Sequence, residues 1–192
     1  SAAGGSTTVT VAIGAGFSTL DPGYVYEKYP PLVINACYEN LFKFYSNDGA
    51  AEPCLADSYE FSEDNKTLTV KLKENVTFAS GNKMTSADVA FSINRCKNLQ
   101  GNPSFICDTI DSIETPDDYT LVIKLTQAWA PFINRLTQFC IISPAALEEY
   151  GNDIMNHPCG TGPYVCTEWE EGDHTSFKRN DDYWGDKPGV TL

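Results

Sequence analysis

With 192 residues, of which 42% are hydrophobic and 12% aromatic, the chain can bury a core as one large domain or two small ones. A formal net charge of -13 argues against a nucleic-acid partner, because neutralising phosphates takes clustered Lys and Arg; the acidity reads as solubility. No stretch approaches the ~20 apolar residues of a membrane span, and Ser1-Ala2-Ala3-Gly4-Gly5-Ser6 reads as a linker left after an export signal has been removed.

Thr7 to Ile13 alternates β-branched and small residues and predicts a strand. Gly14-Ala15-Gly16-Phe17-Ser18-Thr19 follows, close to the glycine fingerprint of a dinucleotide site. That site needs a helix opening at once, with its free N–H groups toward the pyrophosphate. Here Thr19 stands at the third glycine and Leu20-Asp21-Pro22-Gly23 breaks the chain, so a dinucleotide-binding enzyme fragment is only a weak alternative.

Pro30-Pro31 suits the first turn of a helix running to about Tyr38. Leu41 to Tyr45 reads as a strand with Asn47-Asp48-Gly49 as its turn. Ser62 to Lys66 is a polar turn. In the next strand, Thr67 to Leu72, Leu68, Val70 and Leu72 share one face and Thr67, Thr69 and Lys71 the other. Val76-Thr77-Phe78 is expected to continue that sheet. Thr85 is a candidate helix cap, with Asp88 three positions on as a variant of the capping box, and Val89, Ile93 and Cys96 form one helical stripe.

Lys97 to Asp108 reads as a loop. Ile110–Glu114 and Tyr119–Leu125 form a predicted hairpin around Pro116-Asp117-Asp118. Trp129 to Cys140 is the next expected helix, from Phe132, Ile133, Leu136 and Cys140, and Pro144 opens another that Gly151 ends. In the return segment, Gly160-Thr161-Gly162-Pro163-Tyr164 predicts a sharp backbone crossing. A strand from Tyr164 to Trp169 follows, then a Gly172-Asp173 turn and a second strand from Thr175 to Lys178.

No catalytic constellation emerges: the chain lacks a nucleophile elbow, an H-E-x-x-H pair and a P-loop. Glu168, Glu170 and Glu171 read as a solvated acidic strand end rather than a glycosidase carboxylate pair. The seven cysteines contain no C-x-x-C, and the two histidines are not at metal spacing from them, so neither a zinc site nor a cofactor is expected. The cysteine count fits an exported protein with some disulfides, or buried thiols acting as small hydrophobes. Cys96 and Cys107 flank one loop and are the expected pair.

Several motifs share a resemblance. Tyr38-Glu39-Asn40-Leu41, Glu52-Pro53-Cys54-Leu55-Ala56-Asp57-Ser58-Tyr59-Glu60, the Phe78 to Val89 turn-and-cap, the Pro116-Asp117-Asp118-Tyr119 hairpin, Gly160 to Tyr164 and Arg179-Asn180-Asp181-Asp182-Tyr183-Trp184-Gly185-Asp186-Lys187-Pro188 occur in this order. Together with Leu20-Asp21-Pro22 they resemble the bacterial extracellular solute-binding proteins of the peptide/nickel class, the binding subunits of ABC importers. Departures are Ala79 for a histidine, Tyr59 for a tryptophan, Asp181 for a proline and Asp186 for a glycine.

The resemblance implies an α/β, periplasmic-binding-protein-like fold of the class with an extra inserted subdomain, here as a first-lobe fragment with a mixed sheet and flanking helices. Residues 1–36 and 158–192 would form the base lobe and 37–157 the insert. It implies no enzyme activity. A small solute or peptide would be captured outside the cytoplasmic membrane and delivered to ABC permease subunits, by a periplasmic protein or a lipoprotein anchored on the outer face of that membrane. A ligand-sensing or interaction domain of the same fold is the alternative. The cleft-lining residues would be Gly16, Phe17, Ser18, Thr19 and Leu20 with Gly160, Thr161, Gly162, Pro163 and Tyr164. Family members are considerably longer, so the chain alone is expected to bind its solute weakly and to dimerise through exposed apolar surface.

Overall fold

The structure, a computed structural model, describes residues 10, 19–24, 30–45, 49–99 and 102–188. The predicted strand Thr7–Ile13 and its expected pairing with the return segment lie outside these residues, as do Gly16, Phe17 and Ser18 of the candidate site.

The central element is a four-stranded antiparallel sheet with order β3 (Ala56–Phe61), β4 (Thr67–Leu72), β6 (Thr120–Leu125), β5 (Ile110–Asp117). Its inner strands alternate as their sequences dictate. Leu68, Val70 and Leu72 on β4 and Leu121, Ile123 and Leu125 on β6 are buried, with Val70 opposite Leu121 and Leu68 opposite Ile123. Each pair removes two branched side chains from water on the same face. Helix α2 (Ser86–Leu99) covers that face with Val89, Ile93 and Cys96. Its start is fixed by Asp88, whose Oδ2 accepts from the Thr85 N–H at 2.7 Å and from the Thr85 hydroxyl at 2.9 Å. The capping pair is therefore as expected, with the hydroxyl donating to the carboxylate rather than accepting from the helix.

Four expectations are corrected. Leu41–Tyr45 is not a strand of this sheet. Only β1 (Phe42–Lys43) is extended, paired with β2 (Glu52–Pro53) as a separate ribbon, and β3 takes the edge position. Leu41 and Phe42 are both fully buried, which an alternating sheet strand does not allow. Val76–Phe78 does not extend the sheet. It makes one bridge, Thr77 to Lys83, around a tight turn in which Phe78 N–H donates to Asn82 O at 2.9 Å. The predicted helix Trp129–Cys140 shrinks to α3 (Phe132–Leu136), because Cys140 leaves to bridge Asn40. The predicted loop after Cys96 is helical to Leu99 and then a 3-10 helix, Asn102–Cys107, that packs on α2.

Helix α4 (Pro144–Tyr150) matches its prediction, with the Ser143 hydroxyl accepting from Ala146 N–H at 3.3 Å and Gly151 as its C-cap. The return segment forms the hairpin β7 (Tyr164–Glu170) and β8 (His174–Arg179), turned by Gly172 at φ 80, a left-handed conformation that other residues adopt at a cost. This hairpin packs against α1 (Pro30–Cys37). Among the described residues, a hydrophobic cluster runs from Ile34 on α1 through the sheet to Cys159, and Cys166, Phe177 and Trp184 of the return segment pack against it. Among the described residues, no helix is long and apolar enough to cross a membrane.

Candidate functional site

The crossing at Gly160–Tyr164 is built against the C-terminal end of α1. Gly162 N–H donates to Cys37 O at 2.9 Å, and Gly160 O accepts from Ala79 N–H at 2.9 Å. A Cβ on Gly160 would lie 2.4 Å from Cys37 O, and one on Gly162 2.5 Å from Cys37 C. Close approach of two backbones, rather than an unusual φ, is what demands glycine at both positions. Tyr38 is fully buried beneath the crossing, and its hydroxyl accepts from Cys159 N–H at 3.2 Å.

Next to Tyr38, the Glu39 carboxylate is 2% exposed and gathers four strong donors. Oε1 accepts from the Tyr183 hydroxyl at 2.8 Å and Lys43 Nζ at 3.2 Å. Oε2 accepts from Trp184 Nε1 at 2.8 Å and the Thr161 hydroxyl at 3.0 Å. Trp184 Nε1 also lies 3.1 Å from Thr161 O. A buried carboxylate survives only when its lone pairs are satisfied, and here they are. Its charge is felt by its neighbours: burial and then Glu39 push up the Tyr183 hydroxyl pKa, and burial and then Glu39 raise that of the Cys54 thiol. Burial pushes the Cys37 thiol up to about 12.

A second junction holds the other candidate loop. Asp21, 3% exposed, makes a two-pronged ion pair with Arg95 of α2, at 2.9 Å to Nη1 and 2.6 Å to Nη2, and also accepts from Gly23 N–H at 2.8 Å. Burial alone would lower the Arg95 pKa, but the Asp21 hydrogen bonds and charge outweigh it and the net shift is upward. The Thr19 hydroxyl accepts from Asp21 N–H at 3.0 Å, so the pinned aspartate also orients Thr19. The Tyr38 hydroxyl pKa is raised by burial, then by the Cys37 thiol and by Asp21.

Of the candidate cleft residues that are described, Leu20, Gly160, Thr161 and Gly162 are buried, while Thr19, Pro163 and Tyr164 are half-exposed. The Thr161 side chain is already committed to Glu39. Sequence reasoning did not single out Glu39, Asp21 or Arg95. The available signal was an acidic residue set between Tyr38 and Leu41 in an apolar stretch, which requires donors from elsewhere in the chain. Among the described residues, three or more His, Cys, Asp or Glu ligand atoms lie within 4.8 Å of one another only at Glu170, Asp173 and His174, all exposed at the β7–β8 turn. There His174 is raised by hydrogen bonds to Asp173 and then Glu168.

The Glu39 junction brings together the Tyr38-Glu39, Gly160-Thr161-Gly162 and Tyr183-Trp184 motifs. A family model for bacterial extracellular solute-binding proteins, family 5 (middle region), matches residues 50–191. The chain belongs to the bacterial extracellular solute-binding proteins of family 5. It is similar to the glutathione-binding protein GsiB of Escherichia coli O1:K1, with 35% identity over 186 residues, 95% of this chain and 36% of that protein. Among solved structures it resembles NikZ of Campylobacter jejuni in complex with Ni(L-His), at 26% identity and TM-score 0.81, covering 91% of this chain and 36% of that one. It also resembles DppA of Helicobacter pylori in complex with peptide STSA, at 26% identity and TM-score 0.80, covering 93% of this chain and 40% of that one. These family 5 relatives are binding proteins rather than enzymes. The chain spans about a third of the length of the curated relatives it matches, 36% in the case of GsiB.

Proposed function

We propose that this chain forms part of the substrate-binding component of an ABC importer, taking a small peptide outside the cytoplasmic membrane and handing it to the permease subunits. The observation that carries this reading is the family 5 match over residues 50–191, in a chain whose relatives include proteins described as binding glutathione and peptide STSA. In this reading residues 1–36 and 158–192 belong to the base lobe and 37–157 to the insert. The stretches Gly16 to Leu20 and Gly160 to Tyr164 would form two sides of the solute wall, with buried Leu20, Gly160, Thr161 and Gly162 as its support. The two junctions support it: Asp21–Arg95 anchors the base of one loop, and Glu39 anchors the other. Solute would be met by backbone groups and by Thr19, Pro163 and Tyr164, which keep solvent access. In the same reading two copies of the chain would pair through exposed apolar surface.

Calorimetric titration with glutathione, di- to tetrapeptides and Ni(L-His) tests the proposal. Saturable heat is expected with one or more peptides, weakened roughly tenfold by Tyr164→Ala through loss of an aromatic contact. Saturation by Ni(L-His) with no response to any peptide would replace the peptide reading with a metal-chelate one. Peptide affinity unchanged in Tyr164→Ala would remove the return crossing from the wall.

A further inference from the structure

All seven cysteines are free thiols in the structure, and Cys96 and Cys107 share a side-chain hydrogen bond. Cys96 sits on the last turns of α2, on the same buried stripe as Val89 and Ile93. Cys107 ends the 3-10 helix Asn102–Cys107, which packs on α2. The Cys107 thiol lies 3.7 Å from the Ile93 carbonyl oxygen. Ile93 and Cys96, three residues apart, share that buried face of α2, so the Cys107 thiol meets the helix on the turn that carries Cys96. Both residues are buried, at 3% and 1% exposure.

From this juxtaposition we infer that Cys96 and Cys107 form a disulfide that ties the end of α2 to the segment returning toward β5. Once the helices are packed, the hydrogen bond from Cys107 lowers the Cys96 pKa, while that same contact and burial raise Cys107. The oxidant is a small-molecule or protein disulfide, met before the two helices close over the pair. The Cys96 thiolate attacks one sulfur of the oxidant, forming a mixed disulfide and expelling the first thiolate. Cys107, having lost its proton, then attacks the Cys96 sulfur and expels the second. Two protein thiols are oxidised, the oxidant gains two electrons as two thiols, and the two protons released by the cysteines end on those thiols. Once formed, the bond lies in the core, away from reductants.

The alternatives are set apart by position. The Cys96 charge acts on Cys140, and those of Cys166 and Cys159 act on Cys37, whereas the Cys54 thiol lies 3.8 Å from Glu39 Oε1. The test refolds the 192-residue chain in a mixture of reduced and oxidised glutathione, blocks remaining thiols and maps peptides without reduction. A peptide joining Cys96 to Cys107 is expected. Recovery of both as blocked thiols, or Cys96 joined to Cys140, would overturn the inference. A second measurement follows thermal unfolding with and without reductant. Reduction is expected to lower the midpoint of the native chain by about 5–10 °C and to leave Cys96→Ala/Cys107→Val unmoved. An equal shift in both proteins would place the sensitive bond elsewhere. Because the assay needs no solute, its outcome is independent of which ligand the protein takes.

Discussion

Glu39 shows how one side chain can decide the geometry of distant segments. Its two oxygens bind a tyrosine, a tryptophan, a threonine and a lysine that lie up to 145 positions away in the chain. Glu39→Gln keeps the shape but turns an NH₂ toward groups that are themselves donors. At least one buried donor then loses its acceptor, and the expected cost is about 2–3 kcal/mol. Urea unfolding would measure it, and near-ultraviolet circular dichroism would report loss of the fixed Tyr183 and Trp184 environments. A change below the error of the urea measurement, with an unaltered spectrum, would mean that the indole and phenol find other acceptors. The neighbouring glycines are set by the same geometry. With Cys37 backbone in van der Waals reach of both α-carbons, no side chain fits there, whatever its propensity.

At the scale of elements, the β5–β6 hairpin carries a pH dependence of readable sign. The Asp117 carboxyl is held below its ordinary value of 3.8, first by the Thr120 hydroxyl and next by the Tyr119 N–H. The hydroxyl bond is 2.7 Å and the amide bond 2.9 Å. A depressed carboxylate contributes stability that is fully present above its unfolded pKa and is lost as pH falls through the lower folded value. Asp117→Asn is therefore expected to be less stable than the native chain at pH 7 and to converge with it as pH drops below about 4. Denaturant unfolding across that range checks the convergence, and a constant gap down to pH 2 would assign the effect to shape rather than charge. The hairpin was legible beforehand from its turn-forming residues, but its turn falls at Asp118-Tyr119, and Pro116 and Asp117, expected in the turn, belong to β5. Strand β3 was not legible: Asp57, Ser58, Tyr59 and Glu60 are all exposed, so it carries no alternation and is held at the edge by pairing with β4 and by its ends, Ala56 and Phe61, packing on the core. Helix α3 shows the opposite error. Its apolar spacing is helical through Cys140, but the bridge to Asn40 captures the chain's end.

For the whole molecule, the Asp21–Arg95 pair joins the loop of Thr19 and Leu20 to the helix that covers the sheet. Both side chains are largely withdrawn from water, 4% and 12% exposed, so neither tolerates losing the other. Arg95→Met leaves the Asp21 carboxylate buried and unpaired, with an expected loss of about 3–5 kcal/mol. Asp21→Asn combined with Arg95→Met should regain a substantial part, since no lone charge remains. A double-mutant cycle by urea unfolding measures the coupling, and strictly additive losses would show that the two ends of the pair act separately.

Local pattern determined what depends on near neighbours. The alternation of Leu68, Val70 and Leu72, the Thr85–Asp88 cap, the Ser143–Pro144 start of α4 and the glycine turn at Gly172 each need only a few adjacent residues. The ordered motifs from Leu20-Asp21-Pro22 to Tyr183-Trp184 carried the family, because their sequence order survives where single spacings vary. What the tertiary structure alone decided is which distant groups meet. Glu39 finds Thr161 and Trp184, and Asp21 finds Arg95, through contacts that no local period encodes. Burial of a charge has to be answered by donors wherever the fold brings them. The same holds for the candidate wall: Gly160, Thr161 and Gly162 proved to be the buried support of the crossing, leaving Pro163 and Tyr164 as the side chains that solvent reaches.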